Sequence, residues 1–387
     1  MKIVLLMPLS DQRGGAEQLL RNFLPHLHRY PVRWTIVFFE EGPMCAEAQR
    51  FGAETVVIPT GRLRNPLSYL RAVRQIAAVL HQTQADLVFS WMSKAHLYGS
   101  LAGWLTGVPA AWYQHDIPET PGWIDRLITA LPARVILTCS AAAARAQDAL
   151  RPHRATSVVH PCVDLNSFDP DRLPTPDVLR RKFGLPTDAP IVGIVSRMQR
   201  WKGIHVFVDA MKEVLHHYPT ARGLIVGGRH ALEPDYEAEL DAQISALGLS
   251  DRILRVGFQS SVAEWMQTMD VVVHASDREP FGMVVIEAMA LAKPVVAGRE
   301  GGPREIITEG EDGLLAPFGD SEALAQQVVR YLDDHEFSRR TATAARRRAT
   351  TFSATAYADR LVEALMVAGS PSEMTVSAAS PAPRVSL

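Results

Sequence analysis

Apolar residues along this chain fall into two arrangements that alternate. Short runs that are apolar throughout, bounded by turn residues, are followed by longer stretches in which apolar positions recur every three to four residues. In the first half the short runs predict strands at 3–7, 34–39, 55–58, 87–90, 110–113 and 135–138, with helices at 16–28, 66–81, 96–106 and 141–150. A second series has strands at 191–195, 223–226, 253–256, 271–274 and 294–297. Its helices fall at 204–218, 234–247, 262–269, 283–291 and 321–332, the last with Asp320 as N-cap. Strands without polar alternation imply parallel sheets covered on both faces. Two such series predict two doubly wound α/β domains, 1–165 and 166–351. The stretch 161–176, with four prolines and several aspartates, has hinge composition. Residues 352–368 predict a helix beyond the second series, and 369–387, rich in Ser, Ala and Pro, a disordered tail.

Composition narrows the class without naming it. A length of 387 residues exceeds one ordinary core, and 47% hydrophobic with 21% charged residues is the mix of a soluble globular chain. A net charge of -2 gives no global pull toward nucleic acid. Residues 1–165 hold 16 Lys+Arg against 12 Asp+Glu, and 166–351 hold 22 against 27, an asymmetry of the size solvated surfaces ordinarily show. Cys45, Cys139 and Cys162 are odd in number and far apart, which fits a reducing compartment and neither a disulfide framework nor a zinc site. The opening apolar run is cut at Pro8 and precedes no small-residue cleavage site, so it predicts a buried strand. No stretch has the length of a spanning helix. The expected location is cytosolic, at most peripheral to a membrane.

Open parallel sheets bind ligands at the carboxyl ends of their strands, so chemistry is sought in the loops that follow strands. Gly14-Gly15 follows the first strand and opens a helix, where backbone and free N–H groups can approach a phosphate; the same pair also serves a plain tight turn. Arg197 and Lys202-Gly203 follow strand 191–195, and two cations five residues apart can neutralise a diphosphate without a metal. Glu279 ends the loop after strand 271–274, and Glu287 lies inside an otherwise apolar helix, where a carboxylate requires a partner such as ribose hydroxyls. Pro280 and Gly282 shape the turn, leaving the N–H groups of Phe281, Gly282 and Met283 available to hydroxyl or phosphate oxygens. Tyr113-Gln114-His115-Asp116 places a histidine at a strand end, a position compatible with structural or functional use.

The stretch from Glu279 to Leu315 resembles the donor-site signature of the retaining glycosyltransferases of family 4. That signature has two glutamates separated by seven residues, an apolar strand, then a Gly-Gly loop followed by a glutamate. Glu279 and Glu287 match the pair, and Gly301-Gly302 the loop. Gly14-Gly15-Ala16-Glu17 resembles the family's first loop, Pro161 to Pro170 its hinge, and Ser196-Arg197 with Lys202-Gly203 its diphosphate clamp. The resemblance therefore runs in order from about residue 1 to 368. It implies the GT-B fold: two Rossmann-like domains facing across a cleft, an acceptor-side domain at 1–165, a donor domain at 166–351, and a helix at 352–368 crossing back to the first. It implies Glu287 on the ribose, and Glu279 with the Phe281–Met283 amides on the transferred hexose. Arg197 and Lys202 fall on the leaving diphosphate, Gly14 and Gly15 on the same phosphates, and His115 near the sugar.

Three positions depart from the family's pattern. Cys162 stands where the hinge usually has glycine, Gly227-Gly228 replaces a Gly-x-Gly turn, and Asp169-Pro170-Asp171 spells the metal-binding D-x-D of another fold, although its place between prolines marks it as linker. The leading expectation is a retaining, metal-independent hexosyltransferase that needs no cofactor. It would use a UDP- or GDP-sugar and a glycan, lipid-linked or small-molecule acceptor. A nucleotide-sugar epimerase on the same fold and a non-catalytic nucleotide-sugar-binding protein are the alternatives. Residues 121–131, with Trp123, and Arg62, Arg64, Arg71 and Arg74 permit contact with a membrane surface, and equally an ordinary core face with solvated arginines.

Overall fold

The structure, a computed structural model, describes residues 1–11, 14–61, 65–117, 122–150 and 156–370. Arg62, Arg64, Pro121 and the tail from 371 lie outside the described residues. Seven strands form the first sheet: β1 (Lys2–Met7), β2 (Arg33–Phe38), β3 (Glu54–Val57), β4 (Leu87–Trp91), β5 (Ala110–Gln114), β6 (Val135–Thr138) and β7 (Thr156–Val158). Six form the second: β8 (Ile191–Val195), β9 (Arg222–Val226), β10 (Ile253–Arg255), β11 (Val271–His274), β12 (Val295–Gly298) and β13 (Leu314–Ala316). Their orders are β3-β2-β1-β4-β5-β6-β7 and β10-β9-β8-β11-β12-β13. Every paired neighbour is parallel, for example Ile3 opposite Trp34 and Val192 opposite Gly223. Strand order reverses between β1 and β4 and between β8 and β11, and a crevice opens at the carboxyl ends of those strands.

Burial on both faces explains the unbroken apolar runs. In β1, Ile3, Leu5 and Met7 enter one core with Leu20, Phe23 and Phe89, while Val4 and Leu6 enter another with Val73, Ile76 and Tyr98. β8 divides in the same way, Val192 and Ile194 on one side and Ile191 and Val195 on the other. Such strands have no solvent face, so their hydrophobicity cannot alternate.

The last helix, Ala354–Gly369, returns to the first sheet. Its Tyr357, Leu361, Leu365 and Ala368 are buried in the core that holds Phe23 and Tyr113. The Tyr357 ring meets Phe23 edge-on at 6.2 Å and lies 6.5 Å from Tyr113. Arg134 donates to the Ala368 carbonyl at 3.2 Å, and Tyr30 donates to Asp359 at 2.6 Å. Gly369, expected in the tail, is instead the last residue of this helix and lies against the Met1 and Leu87 side chains.

Among the elements that escape the hydrophobic pattern are strand β7 and the helices Pro43–Arg50, Pro176–Lys182 and His335–Ala349. The first three are short. The fourth buries Phe337, Thr341, Ala342, Ala345 and Ala349, mostly small residues that carry little hydrophobic signal at helical spacing. Asp334 caps it by accepting from the Phe337 N–H at 2.9 Å. Its Arg346 reaches Asp169 and Asp171 at 2.8 Å each, so both aspartates of the D-x-D sequence tie the hinge to this helix.

Candidate active site

Lys202 is brought to the crevice by the turn after β8. Gly203 has φ +68°, and a Cβ there would collide with the Ala275 carbonyl, so only glycine lets this turn lie on the end of β11. The Lys202 ammonium lands 2.6 Å from Glu279 Oε2 and over the Trp201 ring at 3.8 Å. The Glu279 loop is held from its other side by the Gly-Gly turn after β12. Gly302 donates to the Glu279 carbonyl at 2.7 Å, and side chains at Gly301 or Gly302 would strike the backbone of Glu279 or Phe281.

The two glutamates sit in opposite environments. Burial alone would raise the Glu279 pKa, but the Lys202 charge and a hydrogen bond from His274 outweigh it and hold the carboxyl well below the usual carboxylate range. Burial in turn pulls the Lys202 ammonium below its ordinary value, partly offset by Glu279. Glu287 makes no side-chain hydrogen bond with the described chain, and burial pushes its carboxyl up to about 7. The N–H groups of Phe281, Gly282 and Met283 likewise donate to no described acceptor at the start of helix Met283–Ala290. The Phe281 side chain turns away from the crevice to pack against His160 and Phe352, each 5.7 Å between centroids, so only its amide faces the site.

The other wall comes from the first sheet. A Cβ built on Gly14 would stand 3.8 Å from Arg197 Nη1, and one on Gly15 3.4 Å from Met283 Cγ. Asp116 lies within electrostatic range of Arg197, Lys202 and Glu279. The Cys139 thiol reaches the His115 and Pro280 carbonyls at 3.6 Å each, which sets the histidine loop beside the Glu279 loop. His115 packs, tilted, against Trp91 (5.4 Å) and Tyr113 (4.1 Å), its Nε2 is buried without a partner among the described residues, and burial lowers its pKa to about 3. It is a neutral imidazole across the physiological range. Contacts thus bring Gly14, Gly15, His115, Arg197, Lys202, Glu279 and Met283 together, while Phe281, Gly282 and Glu287 lie on the same loop and helix as Glu279 and Met283.

Three further residues belong to the neighbourhood. His274 and Ser276, buried behind Glu279, hydrogen-bond in line with it. Glu305, from helix Pro303–Ile306, crosses to the first domain and accepts from the Ala141 and Ala142 N–H groups at 2.8 Å each, while His160 lies 3.3 Å from the same carboxylate. A histidine ending an apolar strand five residues before Glu279 was the available signal for His274. The glutamate after the Gly-Gly loop was the available signal for Glu305, but not for its partners, which lie 145 to 164 residues away.

Two doubly wound domains meeting over paired cations and carboxylates define a GT-B type α/β protein. Residues 13–167 match the family model described as Glycosyltransferase Family 4, and residues 177–348 that of Glycosyl transferases group 1. The chain belongs to the group 1 glycosyltransferases. It is similar to a D-inositol 3-phosphate glycosyltransferase of Corynebacterium urealyticum, 32% identical over 227 residues, 57% of this chain and 54% of that one. The lipopolysaccharide core biosynthesis mannosyltransferase LpsB of Rhizobium meliloti is 32% identical over 157 residues, 40% and 45% of the respective chains. The chain thus spans about half the length of these curated relatives. HepE from Anabaena, crystallised with UDP-glucose, superposes with a TM-score of 0.84 at 28% identity, covering 95% of this chain and 100% of that one.

Proposed function

We propose that the protein is a retaining, metal-independent glycosyltransferase that moves a hexose from a UDP- or GDP-sugar to a glycan, lipid-linked or small-molecule acceptor. The observation that carries this reading is the Lys202–Glu279 pair at 2.6 Å with Arg197 beside it and Gly14 opposite. Breaking the glycosidic bond puts charge on the leaving diphosphate, and preorganised cations stabilise that charge most where water is excluded. An ammonium has three donors, so Lys202 can keep Glu279 and still serve a phosphate oxygen. Glu287, half-buried and unpartnered, suits the two ribose hydroxyls. Met283, with the free amides before it, suits the hexose and phosphate oxygens. HepE's complexes with UDP and UDP-glucose favour uridine as the nucleotide.

A panel of sugar nucleotides scored for nucleotide release tests the reading, and the anomer of the product tests retention. Glu287→Ala is expected to raise the donor KM about tenfold or more, and Lys202→Ala chiefly to lower kcat by about two orders of magnitude. Wild-type rates in both variants would remove the donor from this crevice.

A cytosolic location, with the acceptor reached at a membrane surface, belongs to the same proposal. Supporting it, Trp123 (74% exposed), Ile124 and Leu127 project from helix Trp123–Ala130, and Arg71 and Arg74 are exposed on helix Pro66–Thr83. Among the described residues no helix is long and apolar enough to cross a membrane. Co-sedimentation with anionic vesicles at low salt is expected, falling as salt rises; absence of binding at low salt would exclude the peripheral contact.

A further inference from the structure

Among the described residues every hydrogen bond to the Glu279 carboxylate arrives at one oxygen. Lys202 Nζ is 2.6 Å from Oε2 and His274 Nε2 is 3.0 Å from the same atom, while Oε1 has no protein partner among the described residues. A carboxylate only accepts, so Nε2 of His274 is the nitrogen that carries hydrogen. Ser276 Oγ lies 3.2 Å from that nitrogen. His274 Nδ1 is buried without a partner among the described residues, which anchor the ring through its Nε2 side. His274 is 5% exposed and Ser276 1%, which puts both behind the glutamate and out of reach of any ligand in the crevice.

We propose that His274 is a positioning residue for Glu279. With Lys202 it fixes one carboxylate oxygen and turns the other toward the transferred sugar. A glutamate side chain has three rotatable bonds, and a single ion pair to a flexible lysine leaves the carboxylate plane free to turn. A second donor from a different direction, carried on the rigid end of β11, removes that freedom. Ser276 shares the Nε2 hydrogen and holds the ring in register. The inference rests on the proposed function, because it assigns the free oxygen to the hexose of a sugar nucleotide.

The prediction separates the sugar from the nucleotide. In the full chain, His274→Phe keeps the ring volume and removes the donor. It is expected to weaken UDP-glucose at least about tenfold, the scale of one charge-assisted hydrogen bond, and to leave UDP within about twofold by calorimetry. His274→Gln, whose amide can donate to the same oxygen, is expected to recover most of the loss, and Ser276→Ala to cost two- to threefold. GDP and GDP-mannose replace the uridine pair if the panel selects guanosine. Equal weakening of UDP and UDP-glucose would make His274 structural only, and unchanged affinities would remove its role. If His274→Phe does not fold, His274→Gln and Ser276→Ala read the same sugar-against-nucleotide split. Wild-type protein that binds neither ligand would overturn the reading of the crevice and this inference with it, whereas wild-type binding with an indifferent variant overturns the inference alone.

Discussion

Glu279 and Glu287 stand eight residues apart and have opposite consequences for stability. Glu279 is ionised in the fold more readily than in the unfolded chain, so it stabilises above the ordinary carboxylate pKa, and that contribution is lost as pH falls through and below this range. Glu287 has its folded value raised to about 7. Its contribution is therefore greatest below about pH 4.5, where both states are protonated, and is lost as pH rises toward and through 7. A tenfold difference in proton affinity between folded and unfolded chain is worth about 1.4 kcal/mol, so the penalty at pH 8 is at most about 3 kcal/mol, less where crevice water reaches the carboxylate. Glu287→Gln is expected to melt above wild type at pH 8 and close to it at pH 4.5, by calorimetry across that window. Ribose hydroxyls favour the ionised form, so donor affinity should rise as pH passes through about 7 and level about a unit above it. Glu287 was legible in the sequence because a carboxylate among Val285, Ile286, Ala288 and Met289 needs a reason, and Glu279 because it ends a loop after a strand. Their difference was not, since it depends on where Lys202 and His274 fall in space.

Among the elements, the loops are held by backbone contacts more than by side chains. The turn after β8 rests on Ala275 through Gly203, and the turn after β12 rests on Glu279 and Phe281 through Gly301 and Gly302. A methyl group at Gly203 would meet both a collision and a left-handed φ of +68°. Gly203→Ala is expected to destabilise by about 2–4 kcal/mol and to reduce kcat/KM at least tenfold, because the turn that carries Lys202 must lift from β11. A variant with wild-type melting and kinetics would show that the turn relaxes without cost. Hydrophobic periodicity foretold both sheets because strands buried on two faces have an unmistakable composition. It missed helix His335–Ala349, where alanine and threonine make a contact surface with almost no apolar contrast.

For the whole molecule, the crevice depends on two domains keeping their distance, and Glu305 spans it. Its carboxylate meets two N–H groups at the start of helix Ala141–Leu150, where the helix dipole favours negative charge, and its pKa is lowered although burial opposes this. Arg348 also donates to the Glu305 carbonyl at 3.2 Å. Glu305→Ala should leave each domain folded and loosen their contact. Hydrogen exchange at Ala141 and Ala142 is expected to accelerate at least tenfold, with a larger radius of gyration in solution scattering; unchanged exchange would show that other contacts hold the domains. Such long-range pairing is absent from any local pattern, which is why the sequence points to a hinge but not to what closes it.

The returning helix has a consequence for how the chain is made. Tyr357, Leu361 and Leu365 complete the core on one face of the first sheet beside Phe23 and Tyr113, and losing one large apolar side chain from such a core costs about 2–5 kcal/mol. A ribosome delivers that helix last, after the whole second domain has emerged. The first domain, although first out, is therefore the last to be finished. A nascent chain stalled anywhere short of residue 354 would leave Phe23 and Tyr113 without the Tyr357 ring that packs against both.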